Sequence, residues 1–309
     1  MTKFRIRVKR SSTRWQRFWE GIKPDGTTVL AGIKVVLAVG ALKIFVVVSP
    51  QETPASMAVV EAHYTGPGQP ADVVLPALSV VLHLNGDTAI VVRSVPQSGE
   101  VILERGELQA QVEHNDLRQF RVTIGRLVVQ DLGTEFNILA LGDTTHFAIT
   151  QGEAQLFERR EDGELVDPEM ALSGTSRARE PLVVRAGDVV DIAHGADGAV
   201  WVTRKVRDPL EANTKAEWRH GVVSFDAIPL GEAVKMVNMY HDGKLVVDDP
   251  ELARLKLGGS FDPANLDDFL KGMRALEGID SWPPKNPDGV YPEMIHLRRS
   301  FEGARPGKR

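Results

Sequence analysis

Residues 120–140 read FRVTIGRLVVQDLGTEFNILA, and the spacing of their apolar side chains decides the fold around them. Phe120, Val122 and Ile124 alternate with polar neighbours, and Phe136, Ile138 and Ala140 repeat the alternation. A period of two puts such side chains on one face of a half-buried strand. Upstream, Leu108, Ala110 and Val112 follow the same rule, and residues 80–84 form an apolar run ending at Asn85-Gly86. That dipeptide favours a hairpin-type turn. No helical stripe interrupts the pattern, so residues 71–200 are predicted to be a β-rich body.

Within this body a short pattern recurs: Arg105-Gly106-Glu107-Leu108, Gln151-Gly152-Glu153-Ala154 and Ala186-Gly187-Asp188-Val189. Each leads into a strand. Glycine before an acid suits a tight turn or bulge with positive φ at the glycine. The unequal spacing points to stacked β-coils or a Greek-key sandwich rather than a strict repeat. The acids are expected to be solvated turn residues.

Several blocks together resemble the FecR domain. They are residues 115–122 (NDLRQFRV), 131–138 (DLGTEFNI), 150–156 (TQGEAQL) and 182–188 (LVVRAGD). Residues 75–85 (LPALSVVLHLN) resemble an earlier strand of the family, with Ala77-Leu78 where Asp-Gly is usual. The most specific piece is Gly133, Thr134, Phe136 and Asn137, supported by Gly152 and Gly187. The resemblance implies a β-solenoid-like or sandwich-like body that receives signals by protein contact.

Residues 217–280 read as a small α/β module of order β-α-β-β-α. Residues 218–225 are expected as a strand, and Pro229 opens a helix striped by Leu230, Ala233, Val234, Val237 and Tyr240. Short strands follow at residues 245–247 and 256–261. Leu266, Phe269, Leu270, Met273 and Leu276 then mark a second helix. Trp218, Gly221, Phe225, Pro229-Leu230 and Val247-Asp248-Asp249-Pro250 resemble the STN-like C-terminal part of FecR proteins. Residues 281–309, rich in Pro and Gly, are expected as an irregular tail.

Toward the N-terminus, residues 28–48 (TVLAGIKVVLAVGALKIFVVV) form an apolar run long enough to cross a bilayer as a single transmembrane helix. Lys34 and Lys43 lie six residues from either end of 29–48, where they can snorkel to the interfaces. Residues 1–27 carry eight Lys and Arg against two acids, and beyond residue 48 the next base is Arg93. The positive-inside rule therefore places residues 1–27 in the cytoplasm and the body outside. Residues 49–70 (Pro50, Pro54, Gly66, Pro67, Gly68, Pro70) read as a linker. A cleaved leader, with Ala55-Ser56-Met57 as its processing site, and a buried core helix are the competing readings. Trp15, Phe18 and Trp19 share one helical face, which suits either the lipid interface or a segment that folds on a cytoplasmic partner.

Composition excludes several chemistries. There is no cysteine, so disulfides, thiolate nucleophiles and thiolate metal sites are ruled out. Beyond the apolar run 27 bases face 40 acids, which disfavours nucleic-acid binding. The eight histidines form no metal-binding spacing, and no phosphate loop, dinucleotide fingerprint or nucleophile elbow is present. Asp248-Asp249 is the one adjacent carboxylate pair weighed as a site; it has no third ligand nearby in sequence and reads as a turn. No catalytic, cofactor-binding or metal-binding residue is expected, and the chain reads as a non-enzyme.

The FecR resemblance implies a transmembrane regulator of the anti-sigma type in a bacterial inner membrane, with its body in the periplasm. Its implied partners are an ECF-type sigma factor inside and a TonB-dependent outer-membrane transporter outside. The family carries a longer cytoplasmic helical domain than the 27 residues here. A second reading therefore stays open: a membrane-anchored periplasmic scaffold or ligand-binding FecR-domain protein without sigma-factor regulation.

Overall fold

The computed structural model describes residues 33–36, 44–48, 59–95, 98–113, 119–131, 133–166, 168–170 and 182–300. Residues 1–27, with Trp15, Phe18 and Trp19, lie outside them.

The β body is one curled 17-stranded sheet folded into two layers. Its construction follows from strands that change layer partway along. In Ser98–Val112 the first half pairs with Ala89–Val95 and Gln119–Ile124 in one layer. Its second half pairs with Val80–Leu84 and Glu135–Ala140 in the other. The bend falls at Gly106, whose φ is +94°. Gly152 (φ +77°) makes the same corner between Thr144–Gln151 and Glu153–Arg159, and Gly187 (φ +85°) between Leu182–Arg185 and Asp188–His194. The thrice-repeated sequence pattern is thus the set of corners by which the chain crosses from layer to layer. At Gly152 a Cβ would run into the carbonyl oxygen of Gly133 in the adjacent corner, so glycine is needed for close approach as well as for φ.

Asn85-Gly86 is also a corner rather than a hairpin turn. Val80–Leu84 and Ala89–Val95 do not pair with each other; each pairs with a different half of Ser98–Val112. The dipeptide supplied the sharp reversal, but the long neighbouring strand captured both flanks.

The inner faces of the two layers meet in one continuous apolar core. Phe136, Ile138, Phe147, Leu108 and Leu82 from one layer pack with Ile90, Leu103, Val122, Val129 and Leu156 from the other. Phe136 and Phe147 are fully buried, with ring centroids 5.5 Å apart. At roughly 1.5–3 kcal/mol for each fully buried large side chain, this core is the main stabilising term of the body. The expected mainly β body is observed as one curled sheet.

Two expectations, the linker and the tail, need correction, and the apolar run is described only in part. The linker expected over 49–70 contains the strand Val59–Tyr64, paired antiparallel with Ala89–Val95. Its glycines and Pro67 and Pro70 lie beyond this strand and leave residues 59–65 free to extend. The apolar run expected as a helix shows strands at Ile33–Val36 and Ile44–Val48, the latter paired with Val59–Tyr64. Their β-branched residues favour that conformation once a sheet edge is at hand. No helix among the described residues is long and apolar enough to cross a membrane. The tail expected to be irregular from 281 contains Met294–Arg299, the middle strand of a three-stranded sheet.

The C-terminal module follows the strand Val200–Arg207 and the helix Pro209–Thr214, whose N-cap Asp208 accepts from Leu210 and Glu211 N–H. Glu217–His220 form a 3-10 turn closed by Gly221 at φ +76°, where residues 218–220 were expected as strand. Val223–Pro229 pairs with Lys256–Phe261, and Lys244–Val247 and Ile279–Trp282 flank Met294–Arg299. Helices Leu230–Val237 and Leu266–Glu277 cover these sheets, burying Leu230, Val234, Val237, Phe269 and Leu270 with Ile295 and Leu297.

Candidate functional site

The outer face of the second layer carries polar side chains in register across its strands. Gln109 stands opposite Asn137 on one neighbour and His83 on the other, and Glu107 opposite Leu139. Such residues would face water if the layer were bare. Here the C-terminal module lies over them, and the seam between body and module is the candidate contact site.

Its centre is a buried hydrogen-bond cluster. Glu107 is 5% exposed. Asn85 Nδ2 donates to Glu107 Oε2 at 2.8 Å, and Asn137 Nδ2 to Glu107 Oε1 at 2.8 Å. Both asparagines also reach the module: Asn85 Nδ2 donates to Tyr240 Oη at 2.7 Å, and Asn137 Oδ1 accepts from Trp218 Nε1 at 2.9 Å. Asn85 Oδ1 accepts from Gly86 N, which fixes the corner. Burial pushes the Glu107 carboxyl up to about 7, against the opposing pull of the Asn137 and Asn85 amides. Burial, then the charge of Glu107, raises the Tyr240 hydroxyl.

Around this centre the seam is partly apolar and partly charged. Leu139 and Leu141 pack on Met239, with Met236 and Tyr240 beside it. Ala212 covers Ala148 and Val189. Gly68 N donates to Met239 O at 3.0 Å. Lys235 Nζ donates to Leu141 O and to Asp143 Oδ1, each at 2.9 Å. Arg219 Nη1 donates to Gln109 Oε1, and Gln109 Nε2 in turn to Glu135 Oε1. His146 is 2.7 Å from Asp191 on its own sheet and 3.7 Å from Glu232 on the module.

The residues singled out from sequence take three roles. Gly133 (φ +92°), Gly152 and Gly187 are layer corners. Thr134 is buried, its carbonyl accepting from Val112 N, and Phe136 belongs to the core. Of these residues Asn137 alone reaches the seam. Sequence reasoning missed Glu107, Asn85 and Tyr240, and read Trp218 as a strand residue. The acids after the corner glycines were expected in solvent, yet Glu107 and Asp188 are buried, Asp188 accepting from Arg185 N and lying 3.6 Å from Lys205 Nζ. A sign was present at Asn137: a polar residue between core residues Phe136 and Ile138 must point to the opposite face of the strand.

Asp248 and Asp249 do not form a paired site. Asp249 caps the short helix Pro250–Ala253, and Asp248 lies 2.6 Å from His296 Nδ1. Among the described residues no group of three or more His, Asp or Glu is arranged to hold a metal. An open hollow of about 620 Å³ lies on the body beside Val74, Gln111 and Glu135. What the arrangement does is hold one folded unit against another through buried, directional bonds.

The described residues thus form a two-layer β body with an α/β module docked on its outer face. Among known proteins, residues 61–155 match the FecR protein family. Two crystal structures of a "putative anti-sigma factor" from Parabacteroides distasonis, at 1.65 and 2.50 Å, share the fold. Each superposes with a TM-score of 0.59 at 17% identity, covering 77% and 78% of this chain and 99% of the other. No curated protein matches the sequence significantly.

Proposed function

We propose that this chain is a membrane-anchored FecR-type regulator of a sigma factor, relaying an envelope signal by protein contact and without bond chemistry. The observation that carries the reading is the FecR match over 61–155 in a body whose outer face holds a second module through a buried polar cluster. The common fold with a protein described as an anti-sigma factor supports the same class. In this reading residues 28–48 anchor the chain, residues 1–27 contact an ECF-type sigma factor through Trp15, Phe18 and Trp19, and the body and its STN-like module lie in the periplasm. A bilayer would favour helix over strand for 28–48, because only a helix satisfies its own backbone there. The outer signal would come from a TonB-dependent transporter that engages the module.

Two experiments test this. A periplasm-dependent reporter fused after residue 60 should be active, and an inactive fusion with intact expression would refute the orientation. Residues 1–27 fixed to a resin should retain a sigma factor from a cell extract. Failure to retain one, while the full chain is stably expressed in the membrane, would favour an envelope scaffold instead.

A further inference from the structure

Glu107 is a buried carboxyl whose hydrogen bonds, from Asn85 and Asn137, lie within the body, yet each of those asparagines holds a module side chain. It therefore orients both bonds across the seam without crossing it. The groups that face it come from several elements. Asn85 comes from the corner before Ala89–Val95, Asn137 from Glu135–Ala140, and Tyr240 from just beyond Leu230–Val237. His146 on Thr144–Gln151 and Lys215 at the end of Pro209–Thr214 act on it through charge alone. His146 is itself engaged with Asp191 and Glu232, and at the rim Lys244 lies 3.5 Å from Asp87.

We propose that Glu107 is a proton-gated latch between the β body and the C-terminal module. With its carboxyl neutral the module stays docked through Asn85–Tyr240 and Asn137–Trp218; with the carboxyl ionised in this dry seam the docked state weakens and the module is released. A neutral carboxyl still accepts from both amides, one at each oxygen, so protonation keeps the latch. An ionised one retains a desolvation cost that two neutral amides offset only in part.

The direction follows from linkage. Docked, Glu107 titrates at about 7; exposed by undocking, it returns toward its ordinary 4.5. The docked state thus holds an extra proton between these values. Docking is strongest below the lower one, falls by up to about tenfold per pH unit across the interval, and levels off above the upper one. His146, 3.7 Å from Glu232 across the seam, is a second ionisable group there, so its contribution must be separated.

The chain contains no cysteine, so a single introduced pair can be labelled. Spin labels at Glu104→Cys on the body and Asp288→Cys on the module, in the full chain, report docking as a distance. One distance is expected at pH 5, with a longer population growing by pH 8. Glu107→Gln, permanently neutral, turns one acceptor oxygen into a donor facing an asparagine amide, so it should weaken docking by the same amount at both pH values and abolish the pH response, whereas His146→Gln should keep that response. The proposal is overturned if the unmodified seam shows one distance at both pH values, or if Glu107→Gln responds to pH as the parent does. Should Glu107→Gln fail to fold, Trp218→Phe decides: it should populate the long distance already at pH 5, and an unchanged distance there counts against the latch. The measurement reads docking alone and does not depend on any sigma factor.

Discussion

The indole N–H of Trp218 donates to the side-chain oxygen of Asn137 at 2.9 Å, a buried bond between residues 81 apart in sequence. It joins the β body to the module that follows it. Asn137 is held for this task by its other end, since its amide donates to Glu107.

Replacing Asn137 by Ala should therefore cost more than one ordinary hydrogen bond. It leaves the Trp218 N–H without its acceptor and Glu107 without one of two donors, at about 1–3 kcal/mol for each buried group. Urea unfolding should show a lower midpoint. A double-mutant cycle with Trp218→Phe should give a coupling on the order of 0.5–3 kcal/mol, and additive effects would mean the two side chains do not act together.

The layer corners predict a contrast between two glycines of similar φ. Gly152 (φ +77°) abuts the Gly133 carbonyl, whereas a Cβ at Gly142 (φ +85°) would have nothing within 4 Å. Gly142→Ala should cost about 1–2 kcal/mol from backbone strain alone. Gly152→Ala should cost that plus about 1–3 kcal/mol of overpacking. Equal losses in thermal or urea melts would show that the corners do not need close approach.

Phe136→Ala removes a fully buried ring that packs on Phe147, and should destabilise the body by about 3–5 kcal/mol. Because the core is continuous across both layers, protection from hydrogen exchange should fall in both, including Ala89–Val95, and not only around Glu135–Ala140.

The strand Met294–Arg299 sits between Lys244–Val247 and Ile279–Trp282 and buries Ile295 and Leu297. Ending the chain at residue 293 should unfold the module while leaving the sandwich protected, seen as new protease cleavage confined to residues beyond 209. A truncated module that resists protease as the full chain does would contradict the placement of this strand.

Local periodicity made much of this fold legible. The alternation at Phe120–Ile124 and Phe136–Ala140 gave strands and core-facing residues, and the corner glycines announced positive φ. Helices Leu230–Val237 and Leu266–Glu277 showed their stripes. What stayed hidden is non-local. Asn85-Gly86 has hairpin chemistry, and only the partner strand Ser98–Val112 turns it into a corner. Residues 294–299 follow a Pro- and Gly-rich loop that masks their alternation of Ile295 and Leu297. The candidate site was the least legible part, because Glu107 looks like any acid after a turn until the module covers it.

The regulatory reading stands or falls most directly on sigma-dependent transcription. A reporter driven by each ECF-type sigma factor of the host should change several-fold for one of them when the chain is deleted, and be restored by the full chain but not by a chain lacking residues 1–27. No change for any sigma factor, with the protein present at normal level in the parent strain, would contradict the account.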